Sequence, residues 1–253
     1  MFRKIAVVLL GVVLMSLPAC ANPSGPLRFE RAERGVTVAG AADTVSESAA
    51  FTQANARKYW FSGWVVTHVA NRRTNSMYDG IVLMPDRVLV NARVFGHSYR
   101  YYRHGNDTMI FDDGRWSHTD KGSATLNPMA NLELLSDLVR GLPARRLKDE
   151  VIVGQPTTVL EFRVPAKNVR KTLSSLGLSE MDLKKARVDQ AEIKLTVWVG
   201  QKQPYVYQYQ SVATLPVSGV GAMEQEVYYR FWDFNNERIQ PKEFTRVEQE
   251  IGG

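Results

Sequence analysis

Few side chains in this 253-residue sequence are of the kinds that carry out reactions, and their spacing keeps them apart. The four histidines are His68, His97, His104 and His118. No two stand three or four residues apart, so no helix presents the paired imidazoles of a metal site or a proton relay. His104 reads as a turn residue within His104-Gly105-Asn106-Asp107, and His68 as an outward position on a strand. Asp112-Asp113 are adjacent carboxylates of the kind that share acid and base roles. Gly114 follows them, however, and Asp-Gly between apolar runs marks a tight hairpin turn. There is no G-x-S-x-G elbow, no Ser-x-x-Lys, no H-E-x-x-H and no G-x-x-x-x-G-K-S/T loop. Gly219-Val220-Gly221 is too short to cradle a phosphate. The expectation is a binding protein rather than an enzyme, with no catalytic residue, no metal and no cofactor.

The one remaining reactive group is Cys20, the single cysteine, within "SLPACAN" at residues 16–22. Arg3-Lys4 and then "IAVVLLGVVLM" (5–15) have the charge and length of a secretory signal. A spanning helix needs about 20 apolar residues, and Ser16 and Pro18 interrupt this run first. Two processing routes fit. Leu17-Pro18-Ala19-Cys20 resembles a bacterial lipobox, with cleavage after Ala19 and lipid added to Cys20; Pro18 departs from the usual middle residue. Ala19-Cys20-Ala21 also satisfies the small-x-small rule, with cleavage before Asn22. The first route predicts a membrane-anchored lipoprotein carrying diacylglycerol and often a further acyl chain such as palmitate. The second predicts a soluble periplasmic or extracellular protein. Two or more chains, at about 0.8 kcal/mol per buried CH₂, anchor stably where one does not.

Neither route leaves a pair of cysteines, so the fold rests on its hydrophobic core without disulfides. Lysine and arginine total 32 against 26 acids, and removal of Arg3 and Lys4 leaves a net charge near +4. The basic pairs Arg72-Arg73, Arg145-Arg146 and Lys184-Lys185 are scattered, as on a solvated surface. Nucleic acid is not an expected partner.

The elements that must position these residues are mostly strands. After a signal peptide at 1–19, residues 20–43 read as anchor and flexible tether, rich in Gly, Pro, Ala and charge. Such a segment reaches about 25 Å. The domain is expected over 44–253. A short helix is expected within 44–57. Segments 59–69, 77–84, 87–95, 98–103 and 108–111 are aromatic and β-branched runs with turn residues between them, a meander of antiparallel strands. Asn127, Pro128 and Gly141 bound an amphipathic helix whose stripe is Leu132, Leu135, Val139 and Leu142. Residues 149–153 and 157–164 read as a hairpin, and 167–186 as one or two helices. Strands return at 191–199, 205–214 and 226–234. Ile193, Leu195 and Val197 share one face of the first, and Tyr205, Tyr207 and Tyr209 one face of the second. The expected architecture is mainly β: one curved antiparallel sheet of about ten or eleven strands, an unclosed half-barrel. Two helical insertions would cover its concave face.

Three stretches carry a resemblance: "IFDDGRW" (110–116) followed by Asn127-Pro128 and Leu134-Leu135, "AEIKLTVWVGQKQPYVYQYQ" (191–210), and "YRFWDFNNERIQPKEF" (229–244). In that order they resemble the LolA/LppX/LprG-type superfamily of exported lipid- and lipoprotein-binding proteins. The resemblance implies an eleven-stranded half-barrel around a hydrophobic cavity with helices across its mouth. It further implies binding or carriage of a lipid, glycolipid or lipidated protein without catalysis. Strand alternation nominates Ile193, Leu195, Val197, Tyr205, Tyr207 and Tyr209 as ligand-lining residues, with Leu132, Leu135 and Val139 from the helix that would lie over them as a lid. An alternative on the same scaffold is an envelope sensor of RseB type acting through a protein partner. Residues 215–224 and the tail 242–253 would then be its contacts.

Overall fold

Alternation of side chains along β-strands dominates the local structure. In Lys58–Val69, Tyr59, Phe61 and Val65 are buried on one face, while Trp60, Ser62 and Trp64 take the other. The computed structural model describes residues 35–69, 72–94, 96–119, 130–175, 187–217, 221–239 and 242–252. Its strands are β1 (Val36–Val38), β2 (Lys58–Val69), β3 (Arg72–Leu83), β4 (Arg87–Val94), β5 (His97–His104), β6 (Asp107–Asp112), β7 (Arg115–His118), β8 (Ala144–Arg146), β9 (Glu150–Ile152), β10 (Gln155–Val164), β11 (Glu192–Gly200), β12 (Val206–Val217) and β13 (Gly221–Trp232). The helices are α1 (Ala41–Asn55), α2 (Ala130–Val139), α3 (Ala166–Ser175) and α4 (Lys242–Gly252), with a 3₁₀ turn at Val188–Gln190.

All thirteen strands join one antiparallel sheet in the order β1-β8-β10-β11-β12-β13-β2-β3-β4-β5-β6-β7, with β9 also pairing β10. The sheet does not close, as β1 and β7 end it without meeting. The expected open, mainly β half-barrel is therefore the architecture. The meander β2–β7 runs through short turns such as Asp113-Gly114, where both residues adopt positive φ, 49° and 79°. Its first strand is joined to the last by the β2–β13 ladder, with Trp60 opposite Trp232.

Helices α1 and α2 lie over β10, β11 and β12 on one face of the sheet, and α3 packs against α2 and the 3₁₀ turn. One cluster gathers Tyr59, Phe61, Leu160, Phe162, Leu195, Tyr209, Tyr229 and Phe231 beneath them. Each fully buried side chain of this size contributes about 1.5–3 kcal/mol. Gly63 is part of that packing. A Cβ there would sit 2.5 Å from the Tyr229 ring on the neighbouring strand. The opposite face is covered over β3–β6 by α4, whose Phe244 and Val247 join Ile81, Tyr102 and Met109.

Three elements differ from the expectation. The segment assigned to the tether contributes its end to the fold. Val36–Val38 pairs with Arg146 to Ala144, and α1 begins at Ala41. Two strands, β1 and β8, and the helix α4 add to those expected; the first two are three residues long, too short to show a period. Residues 215–217 and 221–224 are the ends of the β12–β13 hairpin, with Leu215 buried. The signal sequence, Leu17, Ala19, Cys20 and residues 22–34 lie outside the described residues, as do 120–129 and 176–186.

Candidate functional site

The structure brings all nine nominated residues into one place. Leu132, Leu135 and Val139 project from α2, Ile193, Leu195 and Val197 from β11, and Tyr205, Tyr207 and Tyr209 run along β12 and the residue before it. None is more than 6% exposed, and all belong to the single cluster between helices and sheet. They form a packed interior. Alternation explains the shared orientation. Leu195 faces Phe162 and Ser211 across its two ladders, and Val197 faces Leu160 and Tyr209.

Aromatic contacts extend this interior to the end of the sheet. Tyr205 stacks on Phe234 with centroids 4.3 Å apart, and Phe51 of α1 meets Tyr205 edge-on at 5.1 Å. Asn235, at φ 59°, fastens the junction. Its Oδ1 accepts from the Arg57 amide at 2.8 Å, and its Nδ2 donates to the Asn55 carbonyl at 2.9 Å. On α1, Thr52 Oγ1 accepts from the Val206 amide at 2.9 Å and donates to the Ser48 carbonyl at 2.6 Å. Burial raises the phenols of Tyr205, Tyr207 and Tyr229, the last well above its usual range. These groups stay neutral and supply no base. Toward β3–β5 the same face carries Tyr78, Tyr99 and Tyr101, each half-buried.

The opposite face of β10–β13 and β2 holds a cavity of about 530 Å³. Its lining comes from the alternate positions of the same strands: Thr196 and Trp198 on β11, Gln208 and Gln210 on β12, Tyr228 and Arg230 on β13, Ser62 and Trp64 on β2. Leu147, Glu150 and Ile152 form a wall where β8 and β9 both pair with β10. The groups are tied to one another. Tyr228 donates to Gln208 Oε1 at 2.7 Å, Arg230 Nε donates to the same oxygen at 2.9 Å, and Gln210 Nε2 donates to Glu226 at 2.7 Å. Trp198 Nε1 donates to Glu150 at 3.0 Å, and Arg145 pairs with Glu161 at 2.7 Å. Trp64 stacks on Tyr228 at 3.7 Å. Burial pushes the Tyr228 phenol up to about 12, with Arg230 opposing. The sequence reading passed over this face because it followed the apolar positions. The signal was Thr196-x-Trp198 and Gln208-x-Gln210, polar and aromatic residues on strands whose other side is fully apolar.

The histidines do not converge. His97, His104 and His118 are exposed, and His104 stands 3.6 Å from Asp86 and 3.7 Å from Glu248 at the surface. Among the described residues no group of three His, Cys, Asp or Glu side chains is placed to hold a metal. No described helix is long and apolar enough to cross a membrane.

No protein-family model matches the sequence, and no curated protein does. Solved structures of similar shape include lipoprotein LppX of Mycobacterium tuberculosis, at TM-score 0.45 and 15% identity over 77% of this chain and 94% of that one. LprF from Mycobacterium bovis follows at 0.40 and 11%, over 78% and 93%. A LolA-superfamily protein from Nitrosomonas europaea gives 0.32 and 10%, over 78% and 92%.

Proposed function

We propose that this chain is a non-catalytic, exported lipoprotein that binds an acyl-chain ligand between its helices and its open sheet. The observation that carries the reading is the character of the helix-covered face. It is mainly apolar or aromatic from β10 across to β5, with Ser211, Gln225, Ser76 and Arg103 as polar interruptions, and its far part, at Tyr78, Tyr99 and Tyr101, is only half-buried. A water-facing apolar surface continuous with a core is a place for a flexible hydrocarbon. An acyl chain lying along these tyrosines would extend toward α2, whose inner stripe is Leu132, Leu135 and Val139. Displacing that stripe is the motion that admits a longer ligand. The nine nominated residues then serve as the walls of the loaded state and the packed core of the empty one. Cys20 carries the anchor, and the residues between it and β1 carry the tether.

The test is mass spectrometry of the full-length protein from its native membrane under denaturing and native conditions. The expected result is a diacylglyceryl mass on Cys20 together with a separate, non-covalent lipid. Tyr101→Ala is expected to lower the bound-lipid fraction several-fold with an unchanged circular dichroism spectrum. Cys20→Ser is expected to move the protein from the membrane to the soluble fraction. A bare chain starting at Asn22 removes the anchor, and an empty native protein removes the ligand.

A further inference from the structure

We propose that the cavity on the opposite face of β10–β13 and β2 is a second binding site, for a neutral oligosaccharide. Its floor crosses five adjacent strands, from β10 to β2. Four strand spacings make it roughly 19 Å across, matched to a chain of linked rings rather than to one small metabolite. Its volume of about 530 Å³ lies in the ordinary range for ligand sites.

The chemistry of the lining selects the ligand. An acyl chain would desolvate Gln208, Gln210, Glu226 and Arg230 without replacing their contacts with water, at a cost of about 1–3 kcal/mol for each group. An anion meets an excess of carboxylates, since Glu150, Glu161, Glu224 and Glu226 outnumber Lys194 and Arg230 around the cavity. A cation finds three of those carboxylates already engaged. Glu161 is held by Arg145, Glu226 by Gln210 and Glu150 by Trp198. A neutral ligand with many hydroxyls suits every group. Each hydroxyl both donates and accepts, so where it inserts between a planar amide and a carboxylate it gives each a replacement partner. Trp64, half-buried and backed by the buried Tyr228 at 3.7 Å, supplies an aromatic surface. The weakly positive C–H face of a pyranose lies against such a surface as another apolar face would, attracted by the negative π-cloud. The groups are also preorganised. They stand on strands, and Gln208 is locked by two donors, so little ordering is required on binding.

The test uses the full chain against an array of neutral glycans, with each hit titrated calorimetrically. The expected result is saturable binding of at least one oligosaccharide, weakened about tenfold or more by Gln210→Ala, which removes one planar donor–acceptor pair. Glu226→Gln keeps the shape and is expected to weaken it less. Tyr101→Ala, on the other face, is expected to leave it unchanged. Failure of every neutral glycan to bind at millimolar concentration overturns the proposal. So does equal affinity in Gln210→Ala, or capture of spermine in preference to any glycan. Retained lipid is read separately in the same samples, so the outcome here does not depend on the acyl-chain reading.

Discussion

At Val153 a β-branched residue stands at φ 47° in the turn between β9 and β10, with nearly half its surface exposed. Left-handed backbone costs an L-residue with a branched Cβ about 1–2 kcal/mol, and Val153 has no core contact to offset it. Val153→Asn is expected to raise stability by about 1 kcal/mol. The check is a higher denaturant midpoint with an unchanged slope. The contrast with Asp113-Gly114 shows what residue types disclose. Asp-Gly announces its turn because both residues tolerate positive φ. Val153 conceals its turn because its type belongs in a strand, and the sequence reading accordingly placed the turn one residue late, at Gly154-Gln155-Pro156. The same limit applies to the site. Leu195 with Val197, and Tyr207 with Tyr209, are recognisable from alternation as sharing a face of their own strand, but alternation is silent on whether the neighbouring layer is a ligand or a helix.

Among the elements, α4 is attached partly through charge. Its Glu250 pairs with Arg100 at 2.7 Å, and Glu248 accepts from the Tyr102 hydroxyl at 2.5 Å. The Arg100 guanidinium holds the Glu250 carboxyl below its ordinary value. A carboxyl depressed in the folded state contributes fully above the unfolded value, and the contribution is lost as pH falls through the folded one. Hydrogen exchange of the α4 amides is therefore expected to accelerate below about pH 4, while β11 and β12 stay protected. Glu250→Gln is expected to abolish that pH dependence at a cost under about 1 kcal/mol, since the pair is partly solvated. The helix itself was latent in the sequence. Phe244, Val247 and Ile251 recur at helical spacing, and β3 and β4 place Ile81 and Leu89 on the face opposite the main core. Apolar residues on both faces of a strand require a second covering layer, and α4 is that layer. The meander, by contrast, was legible to within a residue or two at most strand ends, because each of its strands pairs with its sequence neighbour; β3 is the exception, starting at Arg72 where the polar run Arg72–Ser76 hid five residues of it.

For the molecule as a whole, phenols link stability to alkaline pH. Burial pushes Tyr101 and Tyr228 up to about 12 and raises Tyr59, Tyr102 and Tyr229 as well. A group that binds its proton more tightly when folded adds stability that is complete below the unfolded value and is lost as pH rises toward the folded one. Unfolding free energy is expected to hold level up to about pH 10 and then fall steeply. Denaturant titrations followed by tyrosinate absorbance would check this; a flat profile to higher pH would mean that the phenols titrate alike in the folded and unfolded chain. The topology carries a further consequence, for the order of events in folding. The meander β2–β7 needs only contacts between sequence neighbours, so it is free to form early. The ladder between β2 and β13 must wait for a strand near the other end of the chain, and closing so long a loop is slow. Until it closes, one edge of β2 stands unpaired, presenting Trp60, Phe61 and Trp64 on a bare edge strand. This interval is when the nascent domain is most exposed to aggregation, and when a chaperone holding β2 would shelter it best.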